Sequence, residues 1–175
     1  TVSYSFWVKP NAYAGTTNYG YFLSGSTRGG IAYSEGGTTS GLTPGEIYLY
    51  DMTNTGAVVT PTGCILDENI WNHIVIVFNT GNIVQFYKDN SLVSTLTGVT
   101  SFIATWNAIG VWNRSTSLAH YLSGALSEFS IFNYALSQDQ VTQLHNPGYA
   151  FNFNGSTQAI DCGVNSRFDI DQITI

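Results

Sequence analysis

Charge is what this chain has least of. Only 9% of its 175 residues are charged, against roughly 25% in ordinary soluble domains. Its five basic residues, Lys9, Arg28, Lys88, Arg114 and Arg167, are scattered rather than clustered. Nucleic acid is excluded as a partner, because no basic stripe exists to meet a row of phosphates. Eleven acidic residues bring the net charge to −6, which serves solubility. No apolar run approaches the roughly 18 residues of a membrane span, so membrane insertion is not expected. Cysteine is scarce too. Cys64 and Cys162 belong to no CxxC pair and have no histidine at ligand spacing, which excludes a structural zinc. They are candidates for one disulfide at most. The chain opens at Thr1 without a methionine or signal peptide and reads as a processed or excerpted piece.

Aromatics, glycine and hydroxyl residues stand where the charges would be. Phe, Trp and Tyr make up 14% of the chain and there are 18 glycines, a balance suited to short strands joined by turns. Period-two alternation dominates. Val2, Tyr4, Phe6 and Val8 alternate with Ser3, Ser5 and Trp7 before Lys9-Pro10 ends the run. Tyr19 to Ser24, Gly30 to Ser34 and Glu46 to Tyr50 read as further strands. Asn69 to Phe78 is apolar on both faces, as expected of a strand covered on both sides. Ile83 to Lys88 and Ser91 to Leu96 flank Asp89-Asn90, a pair that tolerates the positive φ of a tight hairpin turn. Ala108 to Trp112 and Ala125 to Phe132 complete the strands. Ser137 and Gln140 have capping-box spacing before Val141 and Leu144, which predicts one short helix near residues 137–145. The fold class is therefore all-β, a two-sheet antiparallel sandwich with one short helix.

Several segments then carry a family resemblance. Ser5-Phe6-Trp7-Val8-Lys9-Pro10, Trp71-Asn72-His73-Ile74 through Phe78, and the hairpin Phe86 to Val93 resemble strands of laminin G-like domains. So do Ser123 to Ser137 and Phe151-Asn152-Phe153-Asn154-Gly155-Ser156. The resemblance is to the concanavalin A-like lectin/glucanase jelly roll and covers almost the whole chain. It implies a body over residues 1–146 and, over 147–175, a first-strand segment displaced to the C-terminus. That segment leads back toward the head: Ile173-Thr174-Ile175 has the apolar–hydroxyl–apolar pattern of Val2-Ser3-Tyr4. It is expected to complete either this domain or a neighbouring one, and neighbouring copies or adjacent repeats are expected partners.

The fold also hosts glucanases, whose catalysis needs two carboxylates about 5 Å apart. No E-x-D-x-(x)-E strand occurs here. Asp67 and Glu68 are adjacent, so on a strand they would face opposite sides, and Glu46 and Glu128 stand alone. The expectation is a non-catalytic module for adhesion, glycan binding or decoration on a repetitive cell-surface, fibre or virion protein, outside the cell. A purely structural assembly unit joined by strand exchange is the alternative, and a glycoside hydrolase a remote one. Sugars need aromatic platforms for their C–H faces and polar partners for their hydroxyls. Tyr19, Tyr33, Tyr50, Trp106, Trp112 and Asn113 are the candidate carbohydrate-binding residues, for a glycan or a surface glycoprotein. Relatives of the fold hold calcium at the sandwich rim; by that resemblance Glu128, Asn154, Gly155 and Asp161 are the candidate oxygen ligands for Ca²⁺. His73 is expected to be a hydrogen-bonded core histidine.

Overall fold

A computed structural model describes residues 1–13, 19–25, 29–36, 42–50, 59–99, 106–114 and 117–146, apart from the side chains of Val59, Trp106, Asn107, Arg114 and Ser117. The chain divides into two units, Thr1–His145 and Asn146–Ile175. Every described strand and helix belongs to the first unit. The segment 147–175, expected to hold a displaced strand, lies outside the described residues.

Twelve strands and one helix are described: β1 Val2–Pro10, β2 Tyr19–Gly25, β3 Gly30–Ser34, β4 Glu46–Tyr50, β5 Val59–Ile65, β6 Asn72–Asn79, β7 Ile83–Lys88, β8 Ser91–Leu96, β9 Trp106–Ile109, β10 Trp112–Arg114, β11 Ser117–Ala119, β12 Gly124–Phe132 and α1 Gln138–His145. Sheet A runs β12-β1-β6-β7-β8, sheet B runs β5-β4-β3-β2-β9, and β10-β11 form a separate ribbon. The two main antiparallel sheets with one short helix make the sandwich that the patterning predicted, and are those of the jelly roll that the resemblance implied.

Alternation places the core. Tyr4, Phe6 and Val8 of β1, Ile74, Ile76 and Phe78 of β6, Ile31 and Tyr33 of β3, and Ile47 and Leu49 of β4 share one buried cluster between the sheets. Burying each large apolar side chain contributes about 1.5–3 kcal/mol. Phe6 sits among rings from both sheets and the edge, 4.9 Å from Phe22 and stacked 5.5 Å from Phe129. The odd residues of β6 point the other way: Val75 and Val77 pack with Tyr87, Leu136 and Val141 beneath α1. The apolar-both-faces reading of this strand is thus met by a second layer.

Local chemistry accounts for the elements. Asp89 and Asn90 take φ of 47° and 68° in the β7–β8 turn, the left-handed geometry of a two-residue hairpin loop. Around α1 the capping box is reciprocal. The Ser137 backbone N–H donates to Gln140 Oε1 at 2.9 Å, and the Gln140 N–H to Ser137 Oγ at 3.4 Å. Three features depart from the sequence expectation. β6 starts at Asn72 rather than 69, since Asn69 turns the chain at φ 59°. The run Ala108 to Trp112 is broken at Gly110, φ 75°, so β9 ends there and β10 begins a ribbon of its own. β5 was not expected because Pro61 and Gly63 interrupt its pattern; it is an edge strand of sheet B, where proline costs no ladder bond. Among the described residues no helix is long and apolar enough to cross a membrane.

Candidate functional site

The outer face of sheet B is paved with rings. Tyr19 and Tyr21 on β2 and Tyr48 and Tyr50 on β4 are each two residues apart, so each pair leaves its strand on the same side. Between them, Ala32 of β3 packs in the same cluster, and Trp112 of β10 closes over it. Tyr21 and Trp112 stack at 5.5 Å with only 5° between their planes, and Tyr50 meets Trp112 edge-on at 5.7 Å. Tyr19 contacts Tyr48 at 5.6 Å.

Glycine makes that flat layer achievable. The Tyr21 ring lies over Gly30, where a Cβ would come within 2.6 Å of Tyr21 Cε1. Any side chain at position 30 would lift the ring and with it the Tyr21–Trp112 stack. On the core side the same device recurs, with the Tyr33 ring lying on Gly20, its direct cross-strand partner.

The β10–β11 ribbon is tied to sheet B through polar bonds. Ser24 Oγ donates to the Val111 carbonyl at 2.9 Å and accepts from the Asn113 backbone N–H at 3.0 Å. The Gly110 N–H reaches the Phe22 carbonyl, and the Leu122 N–H returns to the Gly110 carbonyl at 2.8 Å. The return path places His120, at φ 51°, against Trp112, Tyr19 and Tyr21 with centroids 5.2, 5.4 and 6.3 Å away. Tyr21, Tyr48 and Trp112 are buried, whereas Tyr19, Tyr50 and His120 are half-buried and Tyr121 beside them is exposed. The site is a rigid aromatic floor with a half-open rim. Burial, with the neighbouring Tyr21, Tyr19 and Tyr50 phenols adding to it, holds the Tyr48 hydroxyl far above its ordinary range. This phenol therefore stays neutral, and its Oη is buried with no well-formed hydrogen bond among the described residues.

Of the candidate sugar-binding residues, the structure gathers Tyr19, Tyr50 and Trp112 on this face. Asn113 follows Trp112 on the ribbon, so its side chain leaves from the opposite side, the side of its partner Leu118. Trp106 lies on β9, the edge of sheet B, and its side chain is not among those described. Tyr33 is corrected: it is fully buried between the sheets and has no surface for a ligand. Its phase shows why. Tyr33 pairs with Gly20, not with Tyr19 or Tyr21, and so faces the core. Its hydroxyl lies 3.1 Å from the Ser123 carbonyl and 3.3 Å from Glu35 Oε1. Burial, opposed by the hydrogen bond from Tyr33, pushes the Glu35 carboxyl above its usual value. His120 and Tyr121 were not anticipated. His120 lies outside any strand pattern, and no sequence spacing relates it to Tyr19 or Tyr21.

The carboxylates have other employment. Asp67 and Glu68 lie in the turn after β5 rather than on a strand. Asp67 pairs with Lys88 Nζ at 2.6 Å and Glu68 Oε1 accepts the Tyr13 N–H at 2.8 Å. Glu46 ties the preceding loop to β5, accepting the N–H groups of Thr43 and Gly63. Ser5 Oγ lies 3.0 Å from His73 Nε2, the pairing of a nucleophile with a base. It lacks the third member, since Asp89 accepts the His73 backbone N–H rather than Nδ1, and Ser5 is only 3% exposed.

The calcium candidates do not assemble from what is described. Glu128 is exposed at a bulge of β12, φ 51°, where Glu128 and Phe129 oppose the single residue Phe6. Asn154, Gly155 and Asp161 lie outside the described residues. Among the described residues no three His, Cys, Asp or Glu side chains gather as a metal site, and Ca²⁺ requires six to eight oxygens. Glu128 alone supplies too few oxygens for that cage. Cys64 is a free thiol in the core whose pKa burial pushes up to about 12, while Cys162 lies outside the described residues.

Solved structures share this sandwich. The CBM40 of Ruminococcus gnavus IT-sialidase is 10% identical, with TM-score 0.61, over 82% of this chain and 82% of that one. A candidate carbohydrate-binding protein from Bacteroides ovatus is 13% identical, TM-score 0.60, over 81% of this chain; the chain spans only 40% of its length. Domain 4 of AbnA, an extracellular GH43 arabinanase from Geobacillus stearothermophilus solved with arabinotriose, is 19% identical, TM-score 0.52, over 82% of this chain and 66% of that one. At such identities the likeness is one of fold. No curated protein matches the chain significantly. The laminin G-type family model of the concanavalin A-like lectin/glucanases superfamily matches residues 1–142. With its body covered from β1 to α1 by that match, the chain belongs to the concanavalin A-like lectin/glucanases superfamily.

Proposed function

We propose that this chain is a non-catalytic glycan-binding module that works outside the cell, with the outer face of sheet B as its binding surface. The observation that carries the reading is the aromatic layer of Tyr19, Tyr21, Tyr48, Tyr50 and Trp112 gathered on one face. A sugar ring presents a C–H face that packs on the half-open rings of Tyr19, Tyr50 and His120, and hydroxyls that seek their polar tips, while buried Tyr21, Tyr48 and Trp112 support them from below. Preorganisation is built in: the floor is buried and stacked, so binding orders few side chains. The low charge of the chain fits recognition by stacking and neutral hydrogen bonds. Likeness in fold to a sialidase CBM40 and to an arabinanase domain solved with arabinotriose supports the same direction. Adhesion or decoration at a cell, fibre or virion surface is the role such a module would serve.

The test is a glycan array followed by calorimetry on the best binder. Wild type should bind a defined glycan, while Tyr19→Ala and Tyr50→Ala should weaken it at least tenfold with the fold retained. Absence of binding across the array, or binding that both variants leave intact, removes the proposal.

One observation favours the assembly reading as a second choice. Among the described residues β12 is a nine-residue strand at the edge of sheet A, and Glu128 is its one charged residue. Such an edge offers unpaired backbone groups to another strand. Particle size measured against concentration separates the two: a monomer at all concentrations ends the assembly reading.

A further inference from the structure

Three rings meet on the outer side of sheet A, away from the aromatic layer, one of them buried and two half-buried. Trp7 of β1, His73 of β6 and His145 at the end of α1 form a closed triangle, with centroids 4.9, 5.6 and 5.4 Å apart. Trp7 Nε1, His73 Nδ1 and His145 Nδ1 are all buried, and none has a hydrogen-bond partner among the described residues. Buried ring nitrogens are ordinarily satisfied, so three in one place need an explanation. His73 is 1% exposed, and its other nitrogen is engaged by Ser5 Oγ at 3.0 Å. Either tautomer of His73 therefore leaves Nδ1 unpaired. The contact also joins two parts: His145 belongs to the helix, and Trp7 and His73 to the sheet the helix covers.

We propose that α1 is a proton-released latch: protonation of the His73 ring, which faces His145 of the helix, frees the helix from the outer face of sheet A. A proton on His73 Nδ1 would place a cation in a site without a waiting acceptor, against the faces of the Trp7 and His145 rings. The charges around His73 act in both directions. Burial is the largest influence and His145 adds to it, while the Asp89 carboxylate, from the turn after β7, opposes both. Ser5 and Trp7, from β1, bring no charge. The balance lowers His73 from its ordinary 6.5 to about 4. Docking is therefore fully supported above pH 6.5, and that support fades as the pH falls toward 4, because the released state binds the protons that the docked state refuses. From His73 alone, the ratio of released to docked helix should rise by at most roughly 300-fold across that window.

The rest of the interface holds α1 by modest means, which keeps release within reach of such a shift. The helix has eight residues, and Val141 is its one fully buried side chain. Its polar ties to the β7–β8 turn, Gln138 Nε2 to the Asn90 carbonyl at 3.0 Å and Thr142 Oγ1 to Asn90 Oδ1 at 2.8 Å, do not titrate. Release would uncover Val75, Val77 and Tyr87.

Hydrogen exchange on the full chain between pH 7.5 and 4, normalised to intrinsic rates, tests the latch. Residues 138–145 should lose protection between pH 6.5 and 4 while β1 and β6 stay protected. His73→Gln should flatten that pH response, and His145→Gln, at the helix end, should shift it to lower pH even if His73→Gln does not fold. Constant protection of α1 across the range would overturn the proposal. So would an unchanged response in His145→Gln, or simultaneous loss of protection in α1 and the core strands.

Discussion

On sheet A the outward side chains of β6 include the aliphatic pair Val75 and Val77, which lies beneath a helix seated by Val141 and Leu136. On sheet B the outward side chains of β2 and β4 are tyrosines, roofed in part by a two-stranded ribbon whose Trp112 stacks on Tyr21. Both sheets give their inward residues to one core. The difference lies in what covers them. Aliphatic side chains have no polar tip, so a face made of them must be closed by more protein. Tyrosines carry a hydroxyl at the far end of an apolar ring, so a face made of them can remain half-open to water. Sheet A's aliphatic face is therefore closed by its helix, while sheet B's outer face is left half-open.

The sharpest way to break this contrast is to strike what the two faces share. Phe6→Ala removes a ring that is 0% exposed and contacts Phe22 and Phe129. It should cost about 3–5 kcal/mol in denaturant unfolding and loosen both sheets together. Equal protection of either outer face in wild type and variant would show the faces to be independent. Val141→Ala should act on one side only. Two methyl groups leave a fully buried site beneath α1, at a cost of about 2 kcal/mol. Glycan affinity at sheet B should be unchanged, and a parallel loss of affinity would show that the faces are coupled.

The smallest effect should run in the opposite direction. Glu35, at the end of β3 beside the Tyr33 hydroxyl, has its carboxyl raised by burial. A raised carboxyl contributes stability below its unfolded-state value, and that contribution is lost as the pH rises through the folded one. Glu35→Gln should therefore raise the melting temperature at pH 7 and leave it unchanged below the ordinary carboxylate range. A variant less stable at pH 7 would mean the Tyr33 contact requires the charge.

Much of this architecture could be read along the chain, and the reasons are local. The β7–β8 turn followed from two residues that accept positive φ, and α1 from two side chains that cap each other. β5 escaped notice because its proline and glycine suppress the alternation, and only its place at the sheet edge makes them tolerable. For the candidate site, Tyr19-x-Tyr21 and Tyr48-x-Tyr50 already place two tyrosines on one side of each strand. Their phase relative to Tyr33 is invisible in sequence, because it depends on the register that sets Tyr33 against Gly20. His120 is less accessible still: it reaches the layer through a ribbon and a return loop whose course depends on bonds to Gly110 and Ser24.

By itself the sequence determined the class of the fold, most of its strands, its hairpin and its helix cap, since period-two burial, turn conformation and capping are interactions between near neighbours. It also determined the shortage of charge that turns recognition toward rings and hydroxyls. Tertiary structure alone decided which aromatics face outward together and which fill the core, because cross-strand register and the covering of each face depend on contacts between residues far apart in the chain.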